Sequence, residues 1–261
     1  MKAQLRISLV QTAIRWGNKP ANLAACARLL RRLSGETDLV VLPETFSTGF
    51  MMDTHTHGEA TDGESVRTLR TWAERFGFAV AGSFISRSGR YYYNRGFFIT
   101  PAGAEHYCDK RHLFSPAGED RRYAAGRSTA IVRYMGWNIR LIVCYDLRFP
   151  VWSRNAGNAY DLLICPANWP AVRQRAWQTL LPARAVENQA YVCGVNCVAV
   201  DHRDNVYAGG SAMYSPLGEK LADCGSKANA VRNLTIDRDE LTAFRSKFPF
   251  WKDSDKFNIK R

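Results

Sequence analysis

The sequence has 261 residues, of which 46% are hydrophobic and 23% charged, a composition typical of a globular protein with a substantial core. No apolar run approaches the length that spans a bilayer, so no association with a membrane is predicted. The net charge of +12 is dispersed, without a basic tail or an RNA-binding motif, which argues against nucleic-acid binding. We expect this charge to serve solubility or the steering of an anionic substrate.

In chain order, the first half predicts strands alternating with helices and a closing hairpin. The elements are the strand LRISLVQ, the helix NLAACARLLRRL, the strand DLVVLPE, a helix opened by a capping box at Thr61 and Glu64, the strand FAVAGSFIS, and a hairpin of YNRGFFIT and AEHYCD around Pro-Ala-Gly.

The second half predicts the same order of elements. They are the strand NIRLIVCYD, a short helix or turn in RFPVWSRNAG, the strand YDLLICPAN, the helix RQRAWQTLLPARAVENQ, the strand YVCGVNCVA, and a hairpin of SAMYS and EKLADC around Pro-Leu-Gly. TDLVVLPE corresponds to YDLLICPAN, and ITPAGAEH corresponds to YSPLGEKL. We therefore predict an α/β fold of two halves related by a pseudo-two-fold axis, stacked as a four-layer α-β-β-α sandwich. Chance similarity between short β-rich segments is the alternative.

The cysteines and the start of the chain indicate a cytoplasmic protein. Seven cysteines, an odd number, are scattered without C-x-x-C spacing, which favours reduced thiols over a disulfide framework. The start, MKAQLRISLVQ, alternates apolar and polar residues and lacks the apolar stretch of a signal peptide. The five histidines form no H-E-x-x-H motif. The His55 and His57 pair could bind a metal, but a solvated polar loop is the favoured interpretation, so no metal site is expected.

Chemically active residues follow several of the predicted strands. Glu44 ends one buried strand, Cys144 ends another, and Asn168 and Trp169 follow a third, while Lys110 comes directly after the first hairpin. Because ligands of open α/β sheets bind beyond the carboxyl ends of strands, we expect these side chains to share a site.

The residues Cys144, Glu44 and Lys110 are a sufficient set for attack on an amide or nitrile carbon. A thiol is a nucleophile as its thiolate, and a carboxylate can take its proton. An ammonium favours the thiolate and then stabilises the oxyanion of the tetrahedral intermediate. Taken singly, each residue also has an ordinary structural explanation: a packed thiol, a helix cap and a solvated loop charge.

Three segments resemble the three motifs of the nitrilase (carbon–nitrogen hydrolase) superfamily, in the same order and with similar separations. They are VVLPETFSTGF around Glu44, YCDKRHLF around Lys110 and LIVCYDLRFPVWSR around Cys144. Asn94 and the Pro-x-Gly hairpin also match, and the similarity covers essentially the whole chain. The resemblance implies a single carbon–nitrogen hydrolase domain over residues 1–261.

Within this superfamily, CYDLRFPVWSR, NWPA and ARAVENQAY are most similar to the omega-amidase branch. Those enzymes release ammonia from the ω-amides of α-keto acids such as 2-oxoglutaramate and 2-oxosuccinamate. The alternatives are a deaminated-glutathione amidase, a carbamoylase, a nitrilase, or a non-catalytic binding protein on the same fold.

The resemblance also implies roles for single residues. Cys144 is the expected nucleophile, Glu44 the general base and Lys110 the oxyanion stabiliser, with the backbone N–H of Tyr145 as the second oxyanion donor. Glu119, in SPAGEDRRY, resembles a further family glutamate that orients the lysine or helps to bind the substrate amide. Its alternative role is that of an acid in a surface loop.

An ω-amide of a dicarboxylate carries a free carboxylate at its far end, and a bidentate arginine is the natural partner for it. Arg148 lies four residues after Cys144, and in the omega-amidase branch the equivalent arginine is associated with the substrate carboxylate. Arg173 is the second candidate. Alternatively, either arginine pairs structurally with Asp146 or Asp161.

Aromatic side chains are expected to wall the pocket and limit its length. The candidates are Phe46, Tyr145 and Trp169. Cys108, two residues before Lys110, can also lie near the pocket through strand alternation.

The C-terminal residues 245–261 are predicted to form a docking tail. This segment includes KFPFWKDSDKF, whose aromatic residues have no obvious helix to join: Phe248, Phe250, Trp251 and Phe257. Such a tail docks either on its own domain or on a partner across a two-fold axis. The superfamily resemblance implies a homodimer that pairs through the helical layers.

Overall fold

The computed structural model describes residues 3–259 and contains two six-stranded sheets, a two-stranded sheet and flanking helices. The strands are β1 Gln4–Gln11, β2 Leu39–Val41, β3 Ala79–Ser88, β4 Tyr91–Ile99, β5 Glu105–Asp109, β6 Ile131–Tyr134, β7 Trp137–Leu141, β8 Leu162–Ala167, β9 Tyr191–Asn196, β10 Val198–Val200, β11 Val206–Ala208, β12 Ala212–Tyr214, β13 Lys220–Asp223 and β14 Ala230–Asp237. The helices are α1 Lys19–Leu30, α2 Thr54–His57, α3 Glu64–Phe76, α4 Pro150–Ser153, α5 Gln174–Asn188 and α6 Arg238–Lys247. Within residues 3–259, no helix combines the length and the hydropathy needed to cross a bilayer.

The two large sheets have matching topologies. Their strand orders are β14-β1-β2-β3-β4-β5 and β13-β12-β9-β8-β7-β6. Three central strands run parallel in each sheet, β1-β2-β3 in the first and β7-β8-β9 in the second. An antiparallel hairpin extends each sheet at one edge and a single antiparallel strand at the other. The correspondences predicted from sequence, β2 with β8 and the β4–β5 hairpin with the β12–β13 hairpin, occupy equivalent positions in this scheme.

The sheets pack face to face, and helices cover their outer faces. Strand alternation sends Leu39 and Val41 of β2 into the core between the sheets, while Val40 faces the helices. Helices α1 and α3 bury their apolar stripes against the first sheet, and α4 and α5 do so against the second. The result is the predicted four-layer α-β-β-α sandwich.

The capping box that the sequence predicted at the start of helix α3 is wrong. Helix α3 begins at Glu64 with Gly63 in the N-cap position, so Thr61 does not cap it. The carboxylate of Glu59 accepts the backbone N–H of Ser65 at 2.9 Å instead. A residue outside the expected four-residue motif therefore satisfies the first turn of the helix.

Two residues near the start of the C-terminal segment, Arg245 and Phe248, contact other parts of the chain. Arg245 of α6 pairs with Asp161 at 2.8 Å and donates to the carbonyl oxygens of Gln189 and Tyr160. The amide of Gln189 donates to the carbonyl oxygen of Phe248 at 2.8 Å, which holds the chain just after α6. The tail leaves several apolar side chains exposed: Phe248, Phe250, Trp251, Phe257 and Ile259.

Candidate active site

The predicted reactive residues meet in one cavity at the carboxyl ends of the strands. Glu44 follows β2, Lys110 follows β5, Cys144 opens the turn after β7, and Asn168 follows β8. All of them line a cavity of about 400 Å³. Since the residues come from both sheets, the sandwich assembles the site.

A buried ion pair forms the centre of this site. Lys110 and Glu44 are each 1% exposed, and the lysine Nζ lies 2.9 Å from Glu44 Oε1. The second oxygen, Oε2, accepts the backbone N–H of Asn168 at 2.7 Å. Both carboxylate oxygens are therefore held by protein donors, which fixes the orientation of this group.

Glu119 is the second carboxylate of the site. It is fully buried, and its two oxygens lie 3.0 and 3.1 Å from Lys110 Nζ. Its Oε2 also accepts the backbone N–H of Phe114 at 2.5 Å. The alternative of a surface loop acid is wrong, because the 3₁₀ turn Glu119–Arg121 carries this side chain inward.

Asn94 bridges the two carboxylates. Its Nδ2 donates to Glu44 at 2.7 Å and to Glu119 at 3.2 Å. Its Oδ1 accepts the hydroxyl of Ser83 at 3.0 Å, and Ser83 in turn accepts the backbone N–H of Thr45. This chain of donors sets the amide orientation and ties the Glu44 loop to β3 and β4.

Cys144 sits in a strained turn. It opens the 3₁₀ turn Cys144–Arg148 and has a φ of 46°, in the left-handed region that non-glycine residues rarely adopt. Such strain is retained where the surrounding structure enforces it and is common at functional sites. The sulfur is mostly buried and lies 4.0 Å from the carbonyl oxygen of Asn168.

The electrostatics of the site favour a protonated thiol and a charged lysine in the free protein. Burial raises the pKa of Cys144 well above its ordinary value; the charge of Glu44 adds to this effect, and Lys110 opposes it. Burial lowers the pKa of Lys110, but the charges of Glu119 and Glu44 outweigh burial, so the net pKa is raised. Activation of the thiol therefore requires a base beside it.

Burial also raises the pKa of Glu119, an effect that the charge of Lys110 opposes and the charge of Glu44 reinforces. Two carboxylates share one ammonium here, so the lysine is what allows both acids to remain in a dry site.

Two arginines line the cavity beyond the sulfur, each stacked on an aromatic ring. The guanidinium carbon of Arg148 lies 5.1 Å from the ring centre of Trp169, and that of Arg173 lies 4.8 Å from the ring centre of Phe114. Tyr145 also lines the cavity. These contacts place cationic groups on an apolar wall, where an anionic ligand can reach them.

The alternative pairing of these arginines with Asp146 or Asp161 is wrong. Asp146 bonds to His112 and to the backbone N–H of Val143, and Asp161 pairs with Arg245. Among residues 3–259, neither cavity arginine forms an ion pair with a carboxylate.

Two expectations about the pocket wall are wrong. Phe46 is fully buried beneath the helical layer, where its ring packs edge-on against Trp72 and Phe97. Cys108 points into the core between the sheets, with its sulfur 3.6 Å from the carbonyl oxygen of Leu141. Cys108 lies on β5, where strand alternation turns its side chain away from the cavity. Phe46 lies in the turn after β2, and its ring joins the apolar cluster beneath the helices.

Other residues form the wall instead. Phe50 lies with its ring centre 5.1 Å from Lys110 Nζ, and Phe114 and Met52 also line the cavity. Phe50, Met52 and Phe114 lie within the motif segments or close to them, but nothing in the local pattern distinguishes them from the buried Phe46.

The β10–β11 hairpin contributes residues that the sequence analysis missed. Its loop residues His202 and Arg203 reach the cavity, as does Tyr207. Asp201 holds this loop by accepting the backbone N–H of Arg203 at 2.8 Å and the hydroxyl of Tyr207 at 3.0 Å. No motif marks this loop, because its relation to the site arises only when the second sheet packs on the first.

All seven cysteines are free thiols. Over residues 3–259, no group of three or more histidine, cysteine or acidic side chains is arranged to hold a metal ion.

The four-layer fold and this site define a class of protein, and comparison with known proteins identifies the family. The family model for carbon–nitrogen hydrolases matches residues 6–246, and the chain belongs to that family. The resemblance seen in the motifs is thereby confirmed.

Among particular relatives, the omega-amidase YafV of Escherichia coli K12 is 41% identical over 255 residues, which cover 98% of both chains. A 2-oxoglutaramate amidase of Bacillus subtilis is 32% identical, with 95% of this chain and 96% of that protein covered. A crystal structure from Xanthomonas campestris, of a CN-hydrolase superfamily protein with an arsenic adduct in its active site, superposes with a TM-score of 0.96. It is 42% identical and covers 99% of this chain and 100% of that one. The nitrilase-like fold is confirmed.

Proposed function

We propose that this protein is an amidase that hydrolyses the ω-amides of small α-keto acids, such as 2-oxoglutaramate and 2-oxosuccinamate, to the dicarboxylate and ammonia. The observation that carries the proposal is the buried Lys110–Glu44 pair in the same cavity as Cys144. The relatives named omega-amidase and 2-oxoglutaramate amidase support the choice of substrate.

In the acylation half of the reaction, Glu44 takes the proton from the thiol as Cys144 Sγ attacks the amide carbon. Lys110 and the backbone N–H of Tyr145 stabilise the oxygen that becomes negative. Collapse of the tetrahedral intermediate breaks the C–N bond, and Glu44 gives its proton to the departing nitrogen, which leaves as ammonia.

In the deacylation half, a water molecule attacks the thioester. Glu44 takes a proton from the water as the new C–O bond forms, and the same oxyanion donors act again. The C–S bond then breaks, and the proton returns to the thiolate of Cys144. Neither a metal nor a cofactor takes part in this sequence.

Glu119 acts on this reaction through the lysine. Its carboxylate accepts from Lys110 Nζ together with Glu44, and Asn94 donates to both acids. We assign Glu119 the task of orienting the ammonium, since a lysine chain has several rotatable bonds that a single ion pair does not restrain.

The substrate carboxylate is assigned to the arginine wall. Arg148 and Arg173 line the cavity, and within residues 3–259 neither pairs with a carboxylate. We expect Trp169 and Tyr145 to limit the length of the ligand. We place the carboxylate on Arg148, because it belongs to the same short turn as the nucleophile, with Arg173 as the second candidate.

Replacement of Arg148 by glutamine is expected to weaken substrate binding. Loss of a charge-assisted contact worth about 1.5–3 kcal/mol raises KM for 2-oxoglutaramate about 10- to 100-fold, with a smaller change in kcat. Arg173→Gln is the parallel variant, and Arg175→Gln, on the exposed side of α5, is the control. Unchanged KM in both cavity variants would contradict the carboxylate assignment.

Substrate choice is tested by measuring ammonia release from 2-oxoglutaramate beside deaminated glutathione, N-carbamoyl amino acids and simple nitriles. We expect the highest kcat/KM on 2-oxoglutaramate. Higher kcat/KM on one of the others would move the protein to that branch of the family, and covalent labelling of Cys144 without turnover of any substrate would favour a binding protein.

We also propose that the protein is a homodimer in the cytoplasm. Each chain forms one hydrolase domain, and residues 245–261 act as a docking tail. Residues 260 and 261 of this tail lie outside the described residues. Exposed apolar side chains on the helical side support pairing there: Val186, Leu217, Phe248, Phe250 and Trp251. The seven free thiols favour a reducing compartment.

The dimer is checked by sedimentation equilibrium at micromolar concentration, where we expect the mass of two chains. Phe250→Ser and Trp251→Ser are expected to shift the equilibrium toward the monomer, because they remove apolar area from the proposed contact. Exposed Val200, on β10 and outside the proposed face, gives the control Val200→Ser. A monomer in the unmodified protein would contradict the proposal.

A further inference from the structure

The two oxyanion donors of the proposed mechanism come from separate sheets. Lys110 follows β5 of the first sheet, and Tyr145 belongs to the turn after β7 of the second. No strand pairing joins these two sheets in the described residues. Something other than the β-ladders has to set the distance between the two donors.

A buried carboxylate spans this gap. Asp146 Oδ1 accepts the backbone N–H of His112 at 2.9 Å and lies 2.8 Å from His112 Nδ1. Its other oxygen, Oδ2, accepts the backbone N–H of Val143 at 3.1 Å. His112 lies two residues after Lys110, and Val143 directly precedes Cys144. One side chain thus connects the lysine segment to the nucleophile turn.

The histidine is held as firmly as the acid. Its ring stacks on Phe149 with centres 3.7 Å apart and an interplanar angle of 8°, and its edge meets Trp152. The Nδ1 atom faces the Asp146 carboxylate at 2.8 Å, within hydrogen-bond distance. Rotation of the ring would break both this contact and the stack on Phe149.

A second contact to the same turn reaches a different layer. Arg184 of α5 donates through two nitrogens to the carbonyl oxygen of Leu147, at 3.0 and 2.7 Å. This contact anchors the turn to the helix behind it. It does not involve the lysine segment, so it cannot set the separation between the two oxyanion donors.

We propose that the Asp146–His112 pair is a positioning device that holds the two oxyanion donors at their working separation. The inference rests on the proposed amidase mechanism. His112 and Asp146 are positioning residues, because neither lines the cavity and both act through Lys110 and the turn at Cys144.

Loss of the pair is expected to affect the chemical step more than binding. A displacement of about 1 Å in a catalytic group can cost about 100-fold in rate. Arg148 stays next to Leu147, whose carbonyl oxygen remains bound to Arg184 of α5, so substrate binding is expected to change less than the chemical step. We therefore expect His112→Ala and Asp146→Asn to lower kcat about 10- to 100-fold, with KM changed by less than about 3-fold.

His112→Asn is the rescue variant. The asparagine amide nitrogen stands near the position of Nδ1 and can donate to Asp146, so this variant is expected to recover a substantial part of kcat. His106→Ala, on β5 and away from the cavity, is the matched control and is expected to keep the kcat of the unmodified protein.

Two further measurements separate this inference from its alternatives. Thermal unfolding monitors the fold of every variant, and the alkylation rate of Cys144 by iodoacetamide, read by peptide mass spectrometry, monitors the nucleophile turn without any substrate. We expect a changed alkylation rate in His112→Ala and a rate near that of the unmodified protein in His112→Asn.

Equal kcat and alkylation rates in His112→Ala and the unmodified protein would overturn the positioning role. So would a loss of activity that only tracks the loss of folded protein, without rescue by His112→Asn. Failure of the unmodified protein to release ammonia from any amide would instead refute the proposed function. The alkylation comparison would still test whether the Asp146–His112 pair positions the turn at Cys144.

Discussion

Replacement of Cys144 by alanine is expected to abolish amide hydrolysis, with a loss in kcat of about 10⁴-fold or more, because the covalent route is lost with the nucleophile. Activity is measured as ammonia release from 2-oxoglutaramate. The folded stability of the variant is expected to change little, since alanine keeps the β-carbon and removes only the sulfur, which lies 4.0 Å from the carbonyl oxygen of Asn168. Cys26→Ala, on α1 and far from the cavity, is the control and is expected to retain activity.

The intermediate provides an independent check. Rapid acid quenching of the unmodified enzyme with substrate is expected to give a mass increase equal to the acyl group, located on the peptide that contains Cys144. Neither Cys144→Ala nor Cys144→Ser should form this thioester. Residual turnover within about 10-fold of the unmodified rate in Cys144→Ala would contradict covalent catalysis by this residue.

Replacement of Lys110 by methionine is expected to damage both activity and stability. Loss of one oxyanion donor lowers kcat about 100- to 1000-fold. Loss of the cation also leaves the carboxylates of Glu44 and Glu119 buried without their shared partner, which costs about 3–5 kcal/mol of unfolding free energy. Urea unfolding and steady-state kinetics measure the two effects separately.

A double variant separates the two contributions of the lysine. Lys110→Met combined with Glu119→Gln removes one of the stranded charges, so part of the lost stability is expected to return while kcat stays low. As a control, Lys220→Met breaks an exposed pair with Asp223 and is expected to cost less than about 1 kcal/mol. Recovery of kcat together with stability in the double variant would contradict the oxyanion role.

The pH dependence of stability follows from the same charges. Burial already raises the pKa of Glu119, and removal of Lys110 takes away the interaction that opposes this rise. An acid whose pKa is raised by folding binds a proton more readily in the folded state, so stability falls as pH increases through that range. The destabilisation of Lys110→Met is therefore expected to be larger at neutral pH than at mildly acidic pH.

Periodicity and turn residues were sufficient to place most of the secondary structure. The apolar run around Val40 and the Pro-Ala-Gly turn correctly predicted β2 and the β4–β5 hairpin, because short-range patterns reflect burial and turn geometry directly. The helix start at Thr61 was wrong because Glu59, outside the local motif, supplies the cap. Helix ends depend on such single contacts more than on the pattern of the helix itself.

The amino-acid sequence alone was enough to identify the three reactive residues, since Glu44, Lys110 and Cys144 each follow a strand and carry recognisable motifs. Only the packed structure showed that Phe46 lies under the helices, that Arg203 reaches the cavity, and that Asp146 meets His112. The physical reason is the distance along the chain over which the deciding contacts act. Alternation along a strand decides which side chains are buried, but loops from two different sheets come together only when the sheets pack across their shared apolar core.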